Sequence, residues 1–280
     1  MIVTRTRSEL AQALGDVRVG GASLALVPTM GHLHRGHLSL VDQAAEYGDV
    51  VAVSIFVNPL QFGPSEDLEQ YPRDEARDLT LLGERNVGLV FLPSDSEMYP
   101  DGEPRVTVSA GPLESRLCGA FRPGHFRGVL TVVGKLFGLL RPDVAVFGRK
   151  DLQQAILIRR MVHDLNMGVR VELGDIVREA DGLAMSSRNV YLRPEERKQA
   201  TALSAALFAS KRLYAAGERR AATLLAEIDR HVVDHDLVEL QYAEAVDPET
   251  LEPVETVSRG AVLALAAFCG ATRLIDNVVL

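Results

Sequence analysis

Five short apolar runs rich in β-branched residues, separated by helix-length amphipathic stretches, constrain this chain more than any other feature. The runs are 22–27, 50–57, 87–92, 144–147 and 169–177, the last broken near Gly174. Between the first two, residues 36–47 place Leu38, Val41, Ala44 and Ala45 at helical spacing, and 74–85, 126–140 and 151–165 read the same way. Strands and helices alternating at these lengths predict βαβ units on a parallel sheet. Nearly continuous apolar strands predict a sheet covered on both faces. A ligand cleft is then expected beyond the C-terminal ends of the strands.

The texture changes after Val177. Pro194 opens an Ala-rich stretch that predicts one long helix to about Ala216, and a second helix is expected near 221–233. Runs at 238–246, 261–268 and 273–279 read as strands of a small sheet. The expected division is therefore a domain of residues 1–176 and a smaller α+β domain of residues 177–280. No low-complexity linker joins them, so close packing is expected. An alternating run, Val106-Thr107-Val108, reads as an edge strand suited to pairing or as an internal one.

Composition enters through charge. The chain carries 38 Asp and Glu against 30 Lys and Arg, a net of −8, which argues against a general nucleic-acid surface. The charge is uneven: residues 105–195 hold 14 bases and nine acids, and 115–142 hold five bases and no acid. That stretch is either a solvated face or a locally positive cleft that focuses anionic ligands. Cys118 and Cys269 are the two cysteines, too few for a disulfide framework or a Cys-rich zinc site. The first 20 residues lack a long apolar core and no run approaches 18 apolar residues. Neither a signal peptide nor a membrane span is expected, and a cytoplasmic location follows.

The chemistry concentrates in VPTMGHLHRGHLSLV, residues 27–41. A strand ends at Val27, Pro28 interrupts its ladder, and a turn with Gly31 and Gly36 feeds a helix. His34 and His37 fall at the helix start, where backbone N–H groups and the dipole favour phosphate. Two imidazoles there can donate hydrogen bonds to charge that develops as an α–β phosphate bond breaks. Structural histidines are one alternative. A zinc site on His32, His34 and His37 is another, although no Asp, Glu or Cys lies within the loop to complete it.

HxGH after a first parallel strand resembles the signature of the nucleotidyltransferase superfamily. The longer string PTMGxLHxGH, with SIFVNPLQFGPSEDLEQYPR at 54–73, RPGHFRGVLTVVGKLF at 122–137, FGRKDLQQ at 147–154 and VREADGLAMSSRNVYL at 177–192, resembles the pantoate–β-alanine ligase family. The resemblance implies a Rossmann-like parallel-sheet nucleotide-binding domain followed by the smaller α+β domain as a lid. It implies an ATP-dependent ligase that makes pantoyl adenylate and pyrophosphate, then lets β-alanine displace AMP. ATP is then a substrate, and Mg²⁺ is expected as its counter-ion, with ligands unassigned. A homodimer is implied, with small-molecule substrates and neither nucleic acid nor membrane as partner.

Residue by residue, the resemblance implies that Met30, Gly31, His34, Gly36 and His37 form an ATP-binding turn, with His37 as the family's proton donor. Gly148, Arg149, Lys150 and Asp151 would form a second ATP-binding segment, and Met185, Ser186, Ser187 and Arg188 a mobile phosphate loop. Val177 would meet adenine through its backbone. Gln61 and Gln154 would bind pantoate, and Gln61 also β-alanine. His34, His37, Lys150 and Arg188 are the implied catalytic set. Asn58 reads as a turn residue or a pocket residue, and Arg122 and His125 as closing the cleft or as structural. Asp78 resembles a family acidic position without an assigned role. Three positions depart from the family: Arg149 stands where an acid is usual, Arg35 where Glu is frequent, and His32 where a small residue is frequent. Other readings are a nucleotidyl transferase that forms no amide, a nucleotide-binding regulator without catalysis, and a histidine-based metal hydrolase.

Overall fold

A computed structural model describes residues 1–64 and 66–280; Ser65, in the 54–73 motif, lies outside the described residues. Six parallel strands form the larger sheet: β1 (Ile2–Thr4), β2 (Leu24–Thr29), β3 (Val50–Ile55), β4 (Leu89–Phe91), β5 (Val144–Gly148) and β6 (Arg170–Gly174). Their spatial order is β1-β4-β3-β2-β5-β6. Leu24 to Val27 of β2 are all fully buried, as continuous apolar runs require when both faces are covered. The connecting helices are α1 (Arg7–Val17), α2 (Arg35–Ala44), α3 (Glu75–Gly83), α4 (Asp95–Met98), α5 (Cys118–Phe121), α6 (His125–Leu140) and α7 (Leu152–Asp164).

The chain runs outward from β2 through β3 to β4, then returns to place β5 on the other side of β2. This is the topological switch at which open α/β sheets bind ligands. The turn after β2 and the end of β5 flank it, so both predicted ATP segments start there.

Strand β1 and helices α1, α4 and α5 escaped the sequence reading. Strand β1 is three residues long and lies at the sheet edge, where Thr4 Oγ1 donates to the Val90 carbonyl (3.1 Å). Helix α1 opens on a capping box, Thr6 with Glu9, a local signature that is present in the sequence. Val106-Thr107-Val108 belongs to no strand. Its Val108 N–H donates instead to Thr131 Oγ1 (3.0 Å), which takes up the donor a ladder would have used.

The later part holds α8 (Pro194–Gln199), α9 (Thr201–Ala215), α10 (Ala221–Val232) and the antiparallel strands β7 (Val238–Val246), β8 (Val262–Cys269) and β9 (Thr272–Val279). The single long helix expected from Pro194 is two helices. Thr201 Oγ1 donates back to the Lys198 carbonyl (2.8 Å), and the Leu203 N–H reaches only as far as Ala200, so the ladder breaks at the junction. One face of the small sheet, with Leu263, Leu265, Leu274 and Val278, shares a core with Leu203, Leu207, Leu224 and Ile228 of α9 and α10.

The chain packs as two compact units. The first comprises Met1–Glu114, Arg122–Arg149 and Leu157–Asp175; the second comprises Ser115–Phe121, Lys150–Ile156 and Ile176–Leu280. Among the described residues, no helix is long and apolar enough to cross a membrane.

Candidate active site

In the first unit the site is built on the turn between β2 and α2. Gly31 has φ +82° and His32 φ +48°, so the turn passes twice through left-handed backbone. A Cβ on Gly31 would lie 2.9 Å from Ile55 Cγ2 and 3.1 Å from Asp78 Oδ2, which leaves room for glycine alone. Asp78, 1% exposed on α3, accepts from the Leu33 N–H (2.7 Å), while Arg77 Nη1 donates to the Leu33 carbonyl (2.8 Å). Burial pushes the Asp78 carboxyl above its ordinary range, outweighing the backbone N–H groups of Leu33 and His32 and the nearby Arg77. The unassigned acid of the sequence reading is thus the clasp of this turn.

His34 and His37 start α2 as a reciprocal cap. His34 Nδ1 accepts from the Gly36 N–H (3.1 Å) and His37 Nδ1 accepts from the His34 N–H (3.3 Å). Their ring centroids are 4.0 Å apart. A nitrogen that accepts carries no proton, so in the neutral rings Nε2 is the N–H donor on both. The structural and chemical readings of these histidines therefore coexist: one edge of each ring caps the helix and the other is a donor. Among the described residues no three His, Cys, Asp or Glu side chains gather as a metal cage, so the zinc alternative on His32, His34 and His37 finds no support.

Gln61 sits on a short turn, Pro59–Gln61, and is 9% exposed. Asn58 fixes it: its Nδ2 donates to Gln61 Oε1 (3.2 Å) and to the Gly128 carbonyl (3.2 Å), and its Oδ1 accepts from the Tyr99 hydroxyl (2.7 Å). Gln61 Nε2 lies 3.0 Å from Met30 Sδ, so the turn expected to bind ATP and the residue expected to bind pantoate touch. Asn58 is therefore a positioning group, 1% exposed. The backbone of the turn is pressed against α6, since a Cβ on Gly128 would overlap the Leu60 carbonyl oxygen.

Arg122 and His125 brace the same turn. His125 Nδ1 lies 2.8 Å from the Gln61 carbonyl and Nε2 lies 3.0 Å from Arg122 Nη1, an arrangement satisfied when Nδ1 carries the proton. Arg122 also pairs with Glu66 through two bonds of 2.7 and 2.6 Å. Burial opposes ionisation of Glu66, but the Arg122 hydrogen bonds and charge outweigh it and hold the carboxyl below its usual range. The basic stretch of 115–142 is thereby partly neutralised, because Arg116 likewise meets Glu252 at 3.1 Å. Gly148 ends β5, and Arg149 has a counter-ion in the exposed Asp175 at 3.4 Å.

The second unit holds Lys150, Asp151, Gln154, Val177 and Met185 to Arg188. Lys150 and Asp151 lie in a 3₁₀ turn that leads into α7, and Gln154 is half-buried one turn on. The neighbouring Gln153, 6% exposed, staples the turn: Oε1 accepts from the Cys118 N–H (3.1 Å) and Nε2 donates to the Arg116 carbonyl (2.7 Å). Residues 177–185 form a hairpin in which the Met185 N–H donates to the Val177 carbonyl (3.0 Å) and Arg178 bridges Ala184. Ser186 caps the following 3₁₀ turn by accepting from the Arg188 N–H (3.3 Å), and Ser187 is buried. Val177 thus has its carbonyl committed within the hairpin. Gln153 left no signal in the sequence reading beyond its place beside Gln154.

The pantoate-beta-alanine ligase family profile matches residues 2–279. Pantothenate synthetase 1 of Bradyrhizobium diazoefficiens is 54% identical over 280 residues, covering 100% of this chain and 98% of the relative. Pantothenate synthetase of a Thermoanaerobacter species is 51% identical over 278 residues, covering 99% and 98%. The crystal structure of pantothenate synthetase from Thermus thermophilus matches with a TM-score of 0.94 at 46% identity, covering 99% of each chain. That of pantoate-beta-alanine ligase from Francisella tularensis, complexed with beta-gamma ATP and beta-alanine, matches with a TM-score of 0.82 at 30% identity, covering 100% of this chain and 97% of the other. A turn clasped by a buried acid, a reciprocal histidine cap at the sheet's switch point and a family match along nearly the whole length converge: the chain belongs to the pantoate–β-alanine ligase family.

Proposed function

We propose that the chain condenses (R)-pantoate with β-alanine to pantothenate through a pantoyl adenylate, releasing AMP and pyrophosphate. The observation that carries this reading is the His34–His37 pair, whose Nδ1 atoms are both engaged by backbone N–H groups. In the first step a pantoate carboxylate oxygen attacks the α-phosphorus of ATP. The bond from that phosphorus to the β-bridging oxygen breaks, and pyrophosphate leaves with the electron pair. The two Nε2–H groups, with the N-terminus of α2, donate to the oxygens that gain charge. Pyrophosphate needs no strong acid to leave, so hydrogen-bond donation replaces literal proton transfer from His37.

Met30, Gly31 and Gly36 shape the backbone around the nucleotide in this reading, and Gly148, Arg149, Lys150 and Asp151 form its second wall. Lys150 and Arg188 supply cations to the triphosphate, with Ser186 and Ser187 as hydroxyl donors. Val177 keeps its N–H for adenine. Gln61 and Gln154 bind pantoate through amide groups that both donate and accept, and Gln61 then meets β-alanine. In the second step the neutral amine attacks the acyl carbon, the carbon–oxygen bond to AMP breaks, and the amine loses a proton. Residues 1–176 act as the binding body and 177–280 as the lid that excludes water from the adenylate.

Mg²⁺ fits the residues present as a companion of ATP rather than a resident ion. No carboxylate cage exists among the described residues, and Mg²⁺ is ordinarily held by phosphates, waters and one or two carboxylates. Asp151 is the carboxylate next to Lys150, and the ion would neutralise phosphate charge. A cytoplasmic homodimer completes the proposal.

The test is incubation with ATP, pantoate and β-alanine. AMP and pantothenate are expected in equal amounts, with pyrophosphate exchange that requires pantoate but not β-alanine. Folded protein that yields neither product overturns the reading. Lys150→Ala is expected to abolish exchange while leaving the melting temperature close to that of the parent.

A further inference from the structure

Strand β9 carries Asp276 and Asn277 side by side, each 3% exposed. Successive residues of a strand face opposite sides of the sheet. Asp276 shares the side of Leu274 and Val278, toward the core under α9 and α10. There it takes both arms of Arg178, Nη1 to Oδ2 at 2.6 Å and Nη2 to Oδ1 at 2.9 Å. The same Nη1 donates to the Gly182 carbonyl (3.1 Å), and the guanidinium lies over the Phe208 ring at 4.8 Å. Arg178 belongs to the hairpin whose returning arm leads into Met185 to Arg188. A half-buried, bidentate, stacked arginine is a stiff joint.

Asn277 faces the other side, with Arg273 and Ile275. Its Nδ2 donates to the Lys150 carbonyl (3.0 Å), across 127 residues of chain. Its own N–H donates to Asp276 Oδ1 (2.8 Å) and so ties the two side chains' tasks together. One strand thus grips the Lys150 turn from one face and the phosphate-loop hairpin from the other.

We propose that Asp276 and Asn277 are positioning residues that couple the Lys150 turn to the Met185–Arg188 loop, so that Lys150 and Arg188 meet one triphosphate in a fixed relation. The proposal rests on the ligase reading, because it takes ATP as the common ligand of both segments. A flexible lysine stem is useful only if its backbone is fixed, and the local chain around Lys150 does not by itself fix it relative to residue 188.

Asn277→Asp keeps the shape, removes the amide donor and sets a carboxylate against the Lys150 carbonyl. Affinity for a nonhydrolysable ATP analogue is expected to fall about tenfold, the scale of one lost hydrogen bond to a polar partner, with the KM for β-alanine within about twofold. In a Lys150→Ala background the same substitution is expected to change analogue affinity by less than about twofold, since its effect passes through Lys150. Unchanged analogue affinity in folded Asn277→Asp, or an equal effect in both backgrounds, overturns the proposal. If that variant does not fold, hydrogen exchange of the parent protein decides: the analogue should protect 149–153 and 177–188 over one concentration range, and protection of one segment alone overturns the coupling. Parent protein that binds the analogue but shows no pantoate-dependent pyrophosphate exchange overturns the ligase reading instead.

Discussion

The two units anchor their candidate residues by different means. In the first unit the innermost anchors are local, with Asp78, Tyr99, Arg122 and His125 bracing them from further along the chain. His34 and His37 cap each other, Asn58 orients Gln61 three residues away, and Asp78 clasps the turn below. In the second unit the anchors are long-range. Asn277 holds the Lys150 carbonyl, Gln153 holds the Arg116–Cys118 backbone, and Asp276 holds Arg178. The histidine cap orients its two rings by local geometry alone. The second arrangement ties the Lys150 turn and the 177–185 hairpin to the small antiparallel sheet.

The largest expected effect tests that dependence. Arg178→Ala leaves Asp276, whose side chain is 2% exposed, as a buried charge without its partner. The expected loss is about 3–5 kcal/mol by denaturant unfolding. A loss below about 1 kcal/mol would put the second unit's anchors on the same footing as a surface pair. His37→Ala should separate chemistry from stability in the first unit. Pyrophosphate exchange is expected to fall by about 10²–10³, while stability falls only by about 1 kcal/mol, the scale of a lost helix cap. Loss of folding would make the histidines structural alone.

Gly128→Ala probes the packing behind Gln61. The added Cβ overlaps the Leu60 carbonyl and lies 2.7 Å from the Gln61 nitrogen. Overpacking of this kind costs about 1–3 kcal/mol, and the KM for pantoate should rise more than that for ATP. Equal changes in both would show that the turn carries no special burden for pantoate.

The smallest effect is the pH response of Asp78. Burial raises this carboxyl above 3.8 in the fold, so its contribution to stability is fully present below that value and is lost as pH rises through the raised one. The parent protein should therefore gain stability relative to Asp78→Asn as pH is lowered from about 7 toward about 4. Unfolding midpoints that move in parallel across that window would remove burial as the dominant influence on this group.

Much of the parallel sheet was legible because burial on both faces writes itself as continuous apolar runs. The β2 turn was legible because its glycines and histidines are fixed by local geometry. Strand β1 was not, since three residues at an edge leave too short a pattern. The break between α8 and α9 was hidden because Thr201 differs little from its neighbours in propensity and acts through one back-bond. Asp78, Gln153 and Asn277 were not assigned their roles for a deeper reason. Each bonds a backbone group far along the chain, and neither end of such a bond has a local signature. His34 and His37 were found by motif, but the engagement of both Nδ1 atoms needed coordinates.

The tie between Asn277 and the Lys150 carbonyl also sets an order of events during synthesis. A nascent chain that has emitted β1 to β6 has every strand of the parallel sheet and the histidine turn in hand. Its Lys150 turn is then held by Gln153 to Arg116 and Cys118, and gains its tie to Asn277 only when β9 is made. A chain truncated before β9 therefore keeps the histidine turn and the Gln153 staple while losing the tie from Asn277 to the Lys150 carbonyl.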